Sequence, residues 1–165
     1  MLALVFMGVS GCGKSSVAAA VAARLGLVWV EGDDHHPASN IERMRSGLAL
    51  TDADRAEWLD TLGDLLSQHQ PHGVVMTCSA LKQTYRQKLR ACAPDVRFVF
   101  MDLSPDAALQ RVQARGSSHF MPTSLVQSQF AALESPIGEP GVLQVDATLP
   151  RDAITQAVLQ WLQAP

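Results

Sequence analysis

The chain has 165 residues, of which 47% are hydrophobic, and a formal net charge of −3. A chain of this length buries roughly 70% of its unfolded surface, so we predict a single domain over residues 1–165 that needs no disulfide framework. The acidic balance argues against a nucleic-acid partner. No apolar run approaches the roughly 18 residues of a membrane span and no export signal precedes the first strand. We therefore expect no membrane partner, a cytoplasmic location and a small-molecule substrate.

The first predicted element is a buried strand, Leu2–Met7, which leads directly into a glycine-rich run. That run, Gly8-Val9-Ser10-Gly11-Cys12-Gly13-Lys14-Ser15, matches the phosphate-loop pattern G-x-x-x-x-G-K-[ST] and precedes a helix. Its glycines let backbone N–H groups point inward, and the helix N-terminus favours anions. We predict that Lys14 reaches the β- and γ-phosphates of a nucleotide and that Ser15 holds Mg²⁺. The alternative is a glycine turn without a ligand, but the complete pattern favours the nucleotide. The predicted nucleotide-binding residues here are Gly8, Val9, Ser10, Gly11, Cys12, Gly13, Lys14, Ser15 and Ser16.

Strands and helices alternate along the rest of the chain. Apolar residues recur at helical spacing from Val17 to Leu25, and Gly26 is placed to end that helix. Thr51 is the predicted N-cap of a long helix because acidic residues follow it in the first turn. This alternation predicts an α/β fold with a parallel sheet and right-handed crossovers. The other predicted strands span about 27–30, 74–77, 96–101 and 142–145, and the other helices about 37–45, 81–92, 106–115, 123–133 and 151–162.

Two acidic residues stand at the end of the second predicted strand. Phosphoryl transfer needs a group that orients or deprotonates the acceptor. Asp33 is the candidate, because the strand before it delivers it to the same sheet edge as the phosphate loop. The alternative is a carboxylate that caps the following turn. Glu31, two residues earlier, is predicted to point the same way in the strand and to hold a metal-bound water.

Three basic residues, Lys82, Arg86 and Arg90, are spaced by four and share one face of a predicted helix. A solvated face is the usual explanation of such a stripe, and it is our prediction for Arg90. Lys82 differs, because it stands just after a strand end at the ligand-binding edge of the sheet.

Arg111 and Arg115 end a predicted helix before a Gly-Ser break at 116–118. The helix dipole stabilises cations there in any case, and this explanation competes evenly with a lid role in which an arginine closes over the phosphate. His35 and His36 do not predict a metal site, because adjacent side chains project differently and no third ligand stands nearby. A polar contact to substrate or surface exposure is favoured for them.

Together these stretches resemble the gluconokinase family, carbohydrate kinases with a P-loop fold of the nucleoside-monophosphate-kinase type. The resemblance covers nearly the whole chain and rests on several separated motifs in the right order. They are the phosphate loop; Gly32-Asp33 with His36-Pro37, Asn40, Met44 and Gly47; Leu50-Thr51-Asp52-Ala53-Asp54-Arg55 with Trp58-Leu59; Cys78-Ser79-Ala80-Leu81-Lys82 with Tyr85-Arg86 and Leu89-Arg90; and Arg111, Arg115 and His119-Phe120 followed by Ser128-Gln129-Phe130 and Leu133-Glu134.

The resemblance implies a three-layer α/β/α fold with a central parallel five-stranded sheet, a substrate-binding segment at about 33–66 and a small lid at about 115–123. It implies transfer of the γ-phosphate of ATP, with Mg²⁺, to the terminal hydroxyl of D-gluconate. It also allows for a homodimer, although the chain carries no interface signature. The expected roles are catalysis by Lys14, Asp33 and Arg115, with Asp33 taking the hydroxyl proton; substrate contacts from Asp33, His36, Arg55, Lys82 and Arg86; metal contacts from Ser15 and Glu31; and nucleotide contacts from Arg111 and Arg115, with residues 146–150 beside the adenine.

Two alternatives stay open, a kinase of another small hydroxy acid such as a shikimate-like substrate and a nucleotide-binding regulatory module without turnover. The Cys78–Lys82 block argues against the first, because a shikimate kinase would be expected to carry a glycine-rich segment there. Lys14, Asp33 and the arginines together argue against the second, because a binding module would not need all of them. ADP production with and without gluconate discriminates between the hypotheses.

Overall fold

The computed structural model describes residues 1–115 and 122–164. Strands and helices alternate along these residues, as the sequence pattern predicts. Two short 3₁₀ turns, Gly32–His35 and Thr123–Leu125, interrupt the alternation. The strands are β1 (Ala3–Met7), β2 (Val28–Glu31), β3 (Val74–Thr77), β4 (Arg97–Asp102) and β5 (Val142–Asp146), and the helices are α1 (Lys14–Leu25), α2 (Ala38–Arg45), α3 (Asp52–His69), α4 (Gln83–Cys92), α5 (Pro105–Arg115), α6 (Val126–Ala132) and α7 (Arg151–Gln163).

The five strands form one parallel sheet in the order β2-β3-β1-β4-β5. The central strand β1 is fully buried, which is why its sequence is continuously apolar. Leu4 and Phe6 pack with α1, α5 and α7 on one face, whereas Val5 and Met7 pack with α3 and α4 on the other. The predicted α/β/α arrangement around a five-stranded parallel sheet is confirmed. Within the described ranges, no helix combines the length and apolar character that a membrane crossing requires.

A capping box fixes the start of α3. The Thr51 hydroxyl accepts a hydrogen bond from the Asp54 backbone N–H at 3.1 Å, and the Asp54 carboxylate accepts one from the Thr51 N–H at 2.8 Å. Thr51 is therefore the N-cap, as predicted. The same start places Arg55 and Trp58, three residues apart, on the side of α3 that faces the sheet edge.

The chain leaves β2 through a close approach to β3. A Cβ on residue 32 would lie 2.0 Å from the Thr77 carbonyl oxygen, so Gly32 is required there. The Gly32 N–H donates to the Thr77 hydroxyl at 3.0 Å, and its carbonyl accepts from the Trp58 indole at 2.8 Å. Asp33 lies in the 3₁₀ turn that follows, beyond the strand. The strand alternation behind our prediction that Glu31 and Asp33 point the same way therefore does not reach Asp33.

Helix α4 begins two residues later than predicted. Ala80 has a left-handed backbone with φ of 45°, and Lys82 is the extended N-cap residue. The fully buried Arg86 holds this shape, because its Nη1 donates to the carbonyl oxygens of Ala80 at 2.8 Å and Leu81 at 3.2 Å. The segment 78–82 is thus shaped by a side chain one helical turn beyond it.

The other side of Arg86 is bound to the segment 134–139. Its Nε donates to both carboxylate oxygens of Glu139 at 3.1 Å, and its Nη2 donates to the Glu134 carbonyl at 3.0 Å. Arg90 binds the same carboxylate at 2.8 Å and lies over the Phe98 ring. Burial alone would raise the pKa of the Glu139 carboxyl, but hydrogen bonds from the two arginines hold it below its usual value. The solvated face predicted for Arg90 is wrong, because this side chain is paired and 21% exposed.

We predict that Arg86→Met lowers the free energy of unfolding by about 3–5 kcal/mol, because the Glu139 carboxylate loses its fully buried partner and keeps the Arg90 contact alone, and because the buried Ala80 carbonyl loses its donor. Urea denaturation followed by tryptophan fluorescence measures this loss. Arg90→Met is the matched control; it keeps the Arg86–Glu139 pair and should cost less than half as much. Equal urea midpoints for Arg86→Met and the wild-type protein would contradict this structural role.

Candidate active site

A cleft opens at the sheet edge where the carboxyl ends of β1, β2 and β3 meet. The space between its walls, including the part that opens to solvent, is about 420 Å³. Its walls come from the phosphate loop, the turn after β2, helices α2, α3 and α6, and the loop after β3. The lining residues are Ser10, Lys14, Asp33, His36, Met44, Leu50, Arg55, Trp58, Ser79 and Gln129.

The predicted phosphate loop forms one wall of this cleft. Gly8, Gly11 and Gly13 have φ values of 140°, 87° and 87°, which favour glycine. Helix α1 starts directly after Gly13, and no side chain caps its first N–H groups. Uncapped N–H groups at a helix N-terminus, reached through a glycine loop, are the arrangement that binds phosphate. The residues present therefore fit a polyphosphate ligand.

Lys14 lies across its own loop. Its Nζ donates to the Gly8 carbonyl at 3.0 Å and to the Val9 carbonyl at 3.1 Å, and the side chain lines the cleft. Its positive charge opposes the rise that burial causes in the pKa of the Asp33 carboxyl, so the two groups are within electrostatic range of each other. The cleft thus brings a cation of the phosphate loop together with the acid that is predicted as proton acceptor.

Asp33 faces the cleft with 42% of its side chain exposed. The largest influence on it, desolvation by the surrounding walls, raises the pKa of its carboxyl above the usual value; the Lys14 ammonium opposes this, and the Glu31 charge adds to it. A carboxylate with a raised pKa is a better proton acceptor near neutral pH. Glu31 itself accepts a hydrogen bond from the Thr77 hydroxyl at the end of β3.

The side chains at this sheet edge fit a magnesium ion that is held partly by the protein and partly by the phosphates of a bound nucleotide. No three His, Cys, Asp or Glu side chains among residues 1–115 and 122–164 cluster to hold a metal by themselves. Mg²⁺ is usually bound by one or two protein groups together with substrate phosphates. Ser15 is exposed in the first turn of α1 and Glu31 ends β2, so both stand at the sheet edge where phosphates would lie.

His36 is packed against α3. Its ring stacks on the Trp58 ring with centroids 4.1 Å apart and planes 14° from parallel, and its side chain is 5% exposed. Burial, helped by the positive charge of Arg55, lowers the pKa of His36 to about 4. The ring is therefore neutral near pH 7 and contributes hydrogen bonds, not charge. The surface exposure considered for His36 is not found.

Four polar side chains join α3 to α4 at the mouth of the cleft. Arg55 donates to the Tyr85 hydroxyl at 3.1 Å, and that hydroxyl donates to the Asp52 carboxylate. The same carboxylate accepts from Lys82 at 2.9 Å. The structure thus brings Arg55 into the cleft and holds Lys82 beside it, paired with Asp52.

The remaining predicted arginines are Arg86, Arg115 and Arg111. Arg86 does not reach the cleft, since its buried guanidinium is occupied by Glu139 and backbone carbonyls; its predicted substrate contact is corrected on this ground. Arg115 ends α5, close enough for its charge to oppose the rise that burial causes in the pKa of Asp33. Most of the predicted lid, with His119 and Phe120, lies outside the described residues.

Arg111 connects the two segments predicted to surround the nucleotide. It donates to the Gly11 carbonyl in the phosphate loop at 3.4 Å and to the Ala147 carbonyl after β5 at 2.8 Å. Residues 146–150, the predicted border of the adenine, are therefore tied to the phosphate loop by this arginine.

Gln129 lines the cleft, although no motif spacing assigned it a role. Its Oε1 accepts a hydrogen bond from the Ser10 backbone N–H at 2.6 Å, across 119 residues of chain. Ser79 belongs to the Cys78–Lys82 block that carries the resemblance; it lines the cleft, and its carbonyl accepts from the Gly8 N–H at 3.2 Å. Met44 and Leu50, both from motifs that carry the resemblance, add an apolar wall to the cleft.

Comparison with known proteins places these features in a family. A family model described as an AAA domain matches residues 4–140. The gluconokinase of Gluconobacter oxydans is 44% identical over 163 residues, which cover 98% of this chain and 91% of that protein. This chain belongs to the gluconokinase family. The resemblance inferred from the motifs is therefore confirmed.

Solved structures of similar sugar kinases agree with this membership. A gluconokinase from Sinorhizobium meliloti 1021 has 40% sequence identity and a TM-score of 0.85, over 99% of this chain and 98% of its own. A sugar kinase from Janibacter sp. HTCC2649 has 37% identity and a TM-score of 0.91, over 98% of this chain and 94% of its own. The P-loop kinase fold thus extends over nearly the whole chain.

We predict that protonation of His36 destabilises the fold in mild acid. The folded-state pKa of about 4 lies below the ordinary value of 6.5, so the unfolded chain binds this proton more tightly. Burial of the neutral ring contributes its full stability at pH values above 6.5, and this contribution is lost as the pH falls from 6.5 through about 4. A difference of this size is worth on the order of 3 kcal/mol. Urea midpoints measured across this pH range report the loss.

The variant His36→Gln should lack this part of the pH dependence. His72→Gln, which changes an exposed histidine in the turn before β3, is the control and should keep it. If His36→Gln and wild type lost stability in parallel over the range, burial of a neutral His36 would be refuted.

Proposed function

We propose that this protein transfers the γ-phosphoryl group of ATP to the terminal hydroxyl of D-gluconate, giving 6-phospho-D-gluconate and ADP. The observation that carries the proposal is that Lys14 of the phosphate loop and Asp33 line one cleft together with Arg55. A phosphate donor and a hydroxy acid would therefore meet between these side chains. Membership of the gluconokinase family supports this choice of acceptor.

The donor side of the proposed reaction is the phosphate loop. Residues 8–16 would hold the phosphates through backbone N–H groups, and Lys14 would leave its loop carbonyls to bind the γ-phosphate. Arg111 would lie against the nucleotide, and Arg115 would stabilise charge on the transferring group. Bound Mg²⁺ would neutralise the phosphate oxygens, held by Ser15 and, through a water, by Glu31.

The acceptor side is formed by the turn after β2 and by α3. As the gluconate hydroxyl oxygen bonds to phosphorus, the bond from phosphorus to the bridging oxygen breaks and ADP leaves. Asp33 would take the hydroxyl proton, a role that suits its raised pKa. Arg55, supported by Lys82 at the rim, would bind the carboxylate of the acid, and neutral His36 would bind a hydroxyl. Arg86 has no part in this assignment.

The proposed organisation is one kinase domain with a substrate-binding segment at about 33–66. Support comes from the cleft lining, because six of its ten residues belong to this segment, in the turn after β2, in α2 and α3 and in the loop between these helices. A homodimer and a cytoplasmic location remain predictions; sedimentation of the purified protein measures the first.

We predict that ADP release, measured with a coupled assay across a panel of sugar acids, rises strongly with gluconate and not with shikimate. Asp33→Asn should lower kcat by roughly 10²–10⁴-fold, because it removes the proton acceptor while keeping the shape of the side chain. Lys14→Ala should abolish turnover through loss of the phosphate contact. Asp34→Asn, which changes the exposed neighbouring carboxyl, is the matched control and should stay near wild type.

The outcomes separate the hypotheses. Turnover with gluconate no faster than with water alone would refute the proposed substrate, and turnover with shikimate instead would favour a kinase of another hydroxy acid. Full activity of Asp33→Asn would remove Asp33 as the base. Nucleotide binding without turnover on any acid would favour a regulatory module.

A further inference from the structure

The ring nitrogens of His36 face two different groups. Nδ1 lies 3.4 Å from Nδ2 of Asn40, one helical turn along the chain, and Nε2 lies 3.8 Å from an Asp33 carboxylate oxygen. Stacking on Trp58 fixes the plane of the ring between them. A neutral imidazole carries one proton, so one ring nitrogen presents an N–H to its neighbour and the other ring nitrogen presents a lone pair.

The orientation of the Asn40 amide decides which ring nitrogen of His36 accepts a hydrogen bond and which one carries the proton. Asn40 is 3% exposed, and its Nδ2 donates to the Asp54 backbone carbonyl at 2.8 Å. A carbonyl oxygen accepts and never donates, so the amide group must present its nitrogen, and not its oxygen, on that side. The same NH₂ group faces Nδ1 of His36 and has a second hydrogen to give. Nδ1 is therefore the acceptor in this pair.

We propose that Asn40 is a positioning residue that keeps the His36 proton on Nε2, so that the ring presents an N–H, and not a lone pair, to Asp33. The catalytic consequence rests on the proposed function, in which Asp33 takes the proton of the acceptor hydroxyl. The tautomer itself follows from contacts among Asp54, Asn40 and His36 and does not depend on the substrate.

The tautomer matters because the ring is neutral near pH 7. A lone pair on Nε2 would face an Asp33 carboxylate oxygen 3.8 Å away and repel its negative charge. An N–H in the same place attracts that charge. The charged groups that face the ring among the described residues are Asp33 on the turn before α2 and Arg55 on α3; Asn40 and Trp58 are neutral.

Nitrogen NMR of the intact protein tests the tautomer directly. Long-range ¹H–¹⁵N spectra of the uniformly ¹⁵N-labelled chain distinguish protonated from unprotonated ring nitrogens, and the signals missing in His36→Gln identify this ring. We expect a protonated Nε2 and an unprotonated Nδ1 throughout the neutral range. A proton on Nδ1, or a doubly protonated ring at neutral pH, overturns the proposal without any Asn40 variant.

Asn40→Asp supplies the second test, because it changes only the amide group to a carboxylate. The new carboxylate would accept from Nδ1–H and set the ring between two acids, so the pH at which the ring titrates should rise by about one to three pH units. kcat with gluconate should fall, whereas KM for ATP should stay unchanged. Ser39→Ala, which changes an exposed residue of α2 next to Asn40, should alter none of these.

The two proposals fail in different ways. A folded Asn40→Asp protein whose His36 signals and titration match wild type overturns the role of Asn40, even if gluconate is phosphorylated. An Nε2–H tautomer in wild type, shifted in Asn40→Asp, supports the role of Asn40 even if gluconate is not the substrate. Absence of turnover with gluconate refutes the proposed function alone.

Discussion

The acceptor half of the cleft depends on how closely the end of β2 approaches β3. Residue 32 has no room for a side chain, because a Cβ would lie 2.0 Å from the Thr77 carbonyl oxygen. Its backbone is then bound from two sides, by the Thr77 hydroxyl and by the Trp58 indole. Asp33 is the next residue, so the contacts that pack α3 against the sheet also set the position of its carboxyl. Packing and site geometry here depend on the same few atoms.

Features whose causes lie within a few residues could be predicted from the sequence. The apolar run of β1, the glycine loop and the helix after it are local, and so is the Thr51 cap of α3. The prediction of a nucleotide came from this local motif, whereas the substrate class came from the resemblance to the gluconokinase family. The start of α4 was misplaced by two residues because its cause, the contact from Arg86 to the Ala80 carbonyl, appears only in three dimensions.

Contacts between distant segments account for what the sequence could not show. Spacing alone put Arg86 and Arg90 on one helical face, but it could not reveal that Glu139, about fifty residues away, pairs with both. The same holds for Gln129, which reaches the phosphate loop across 119 residues. A carboxylate in a loop such as Glu139, or an amide on a short helix such as Gln129, has no periodicity that identifies its partner. Such residues take on a role only when the fold has brought their segments together.

The Arg86 guanidinium makes the shape of one cleft wall depend on a distant part of the chain. It joins backbone carbonyls beside α4 to a segment up to 53 residues further along the chain. Contacts of that separation require a long loop to close first, at a cost in chain entropy. The segment that presents Ser79 to the cleft therefore depends for its shape on residues near the other end of the chain. A substitution in the segment 134–139, far from the cleft in sequence, can thus disturb the cleft wall.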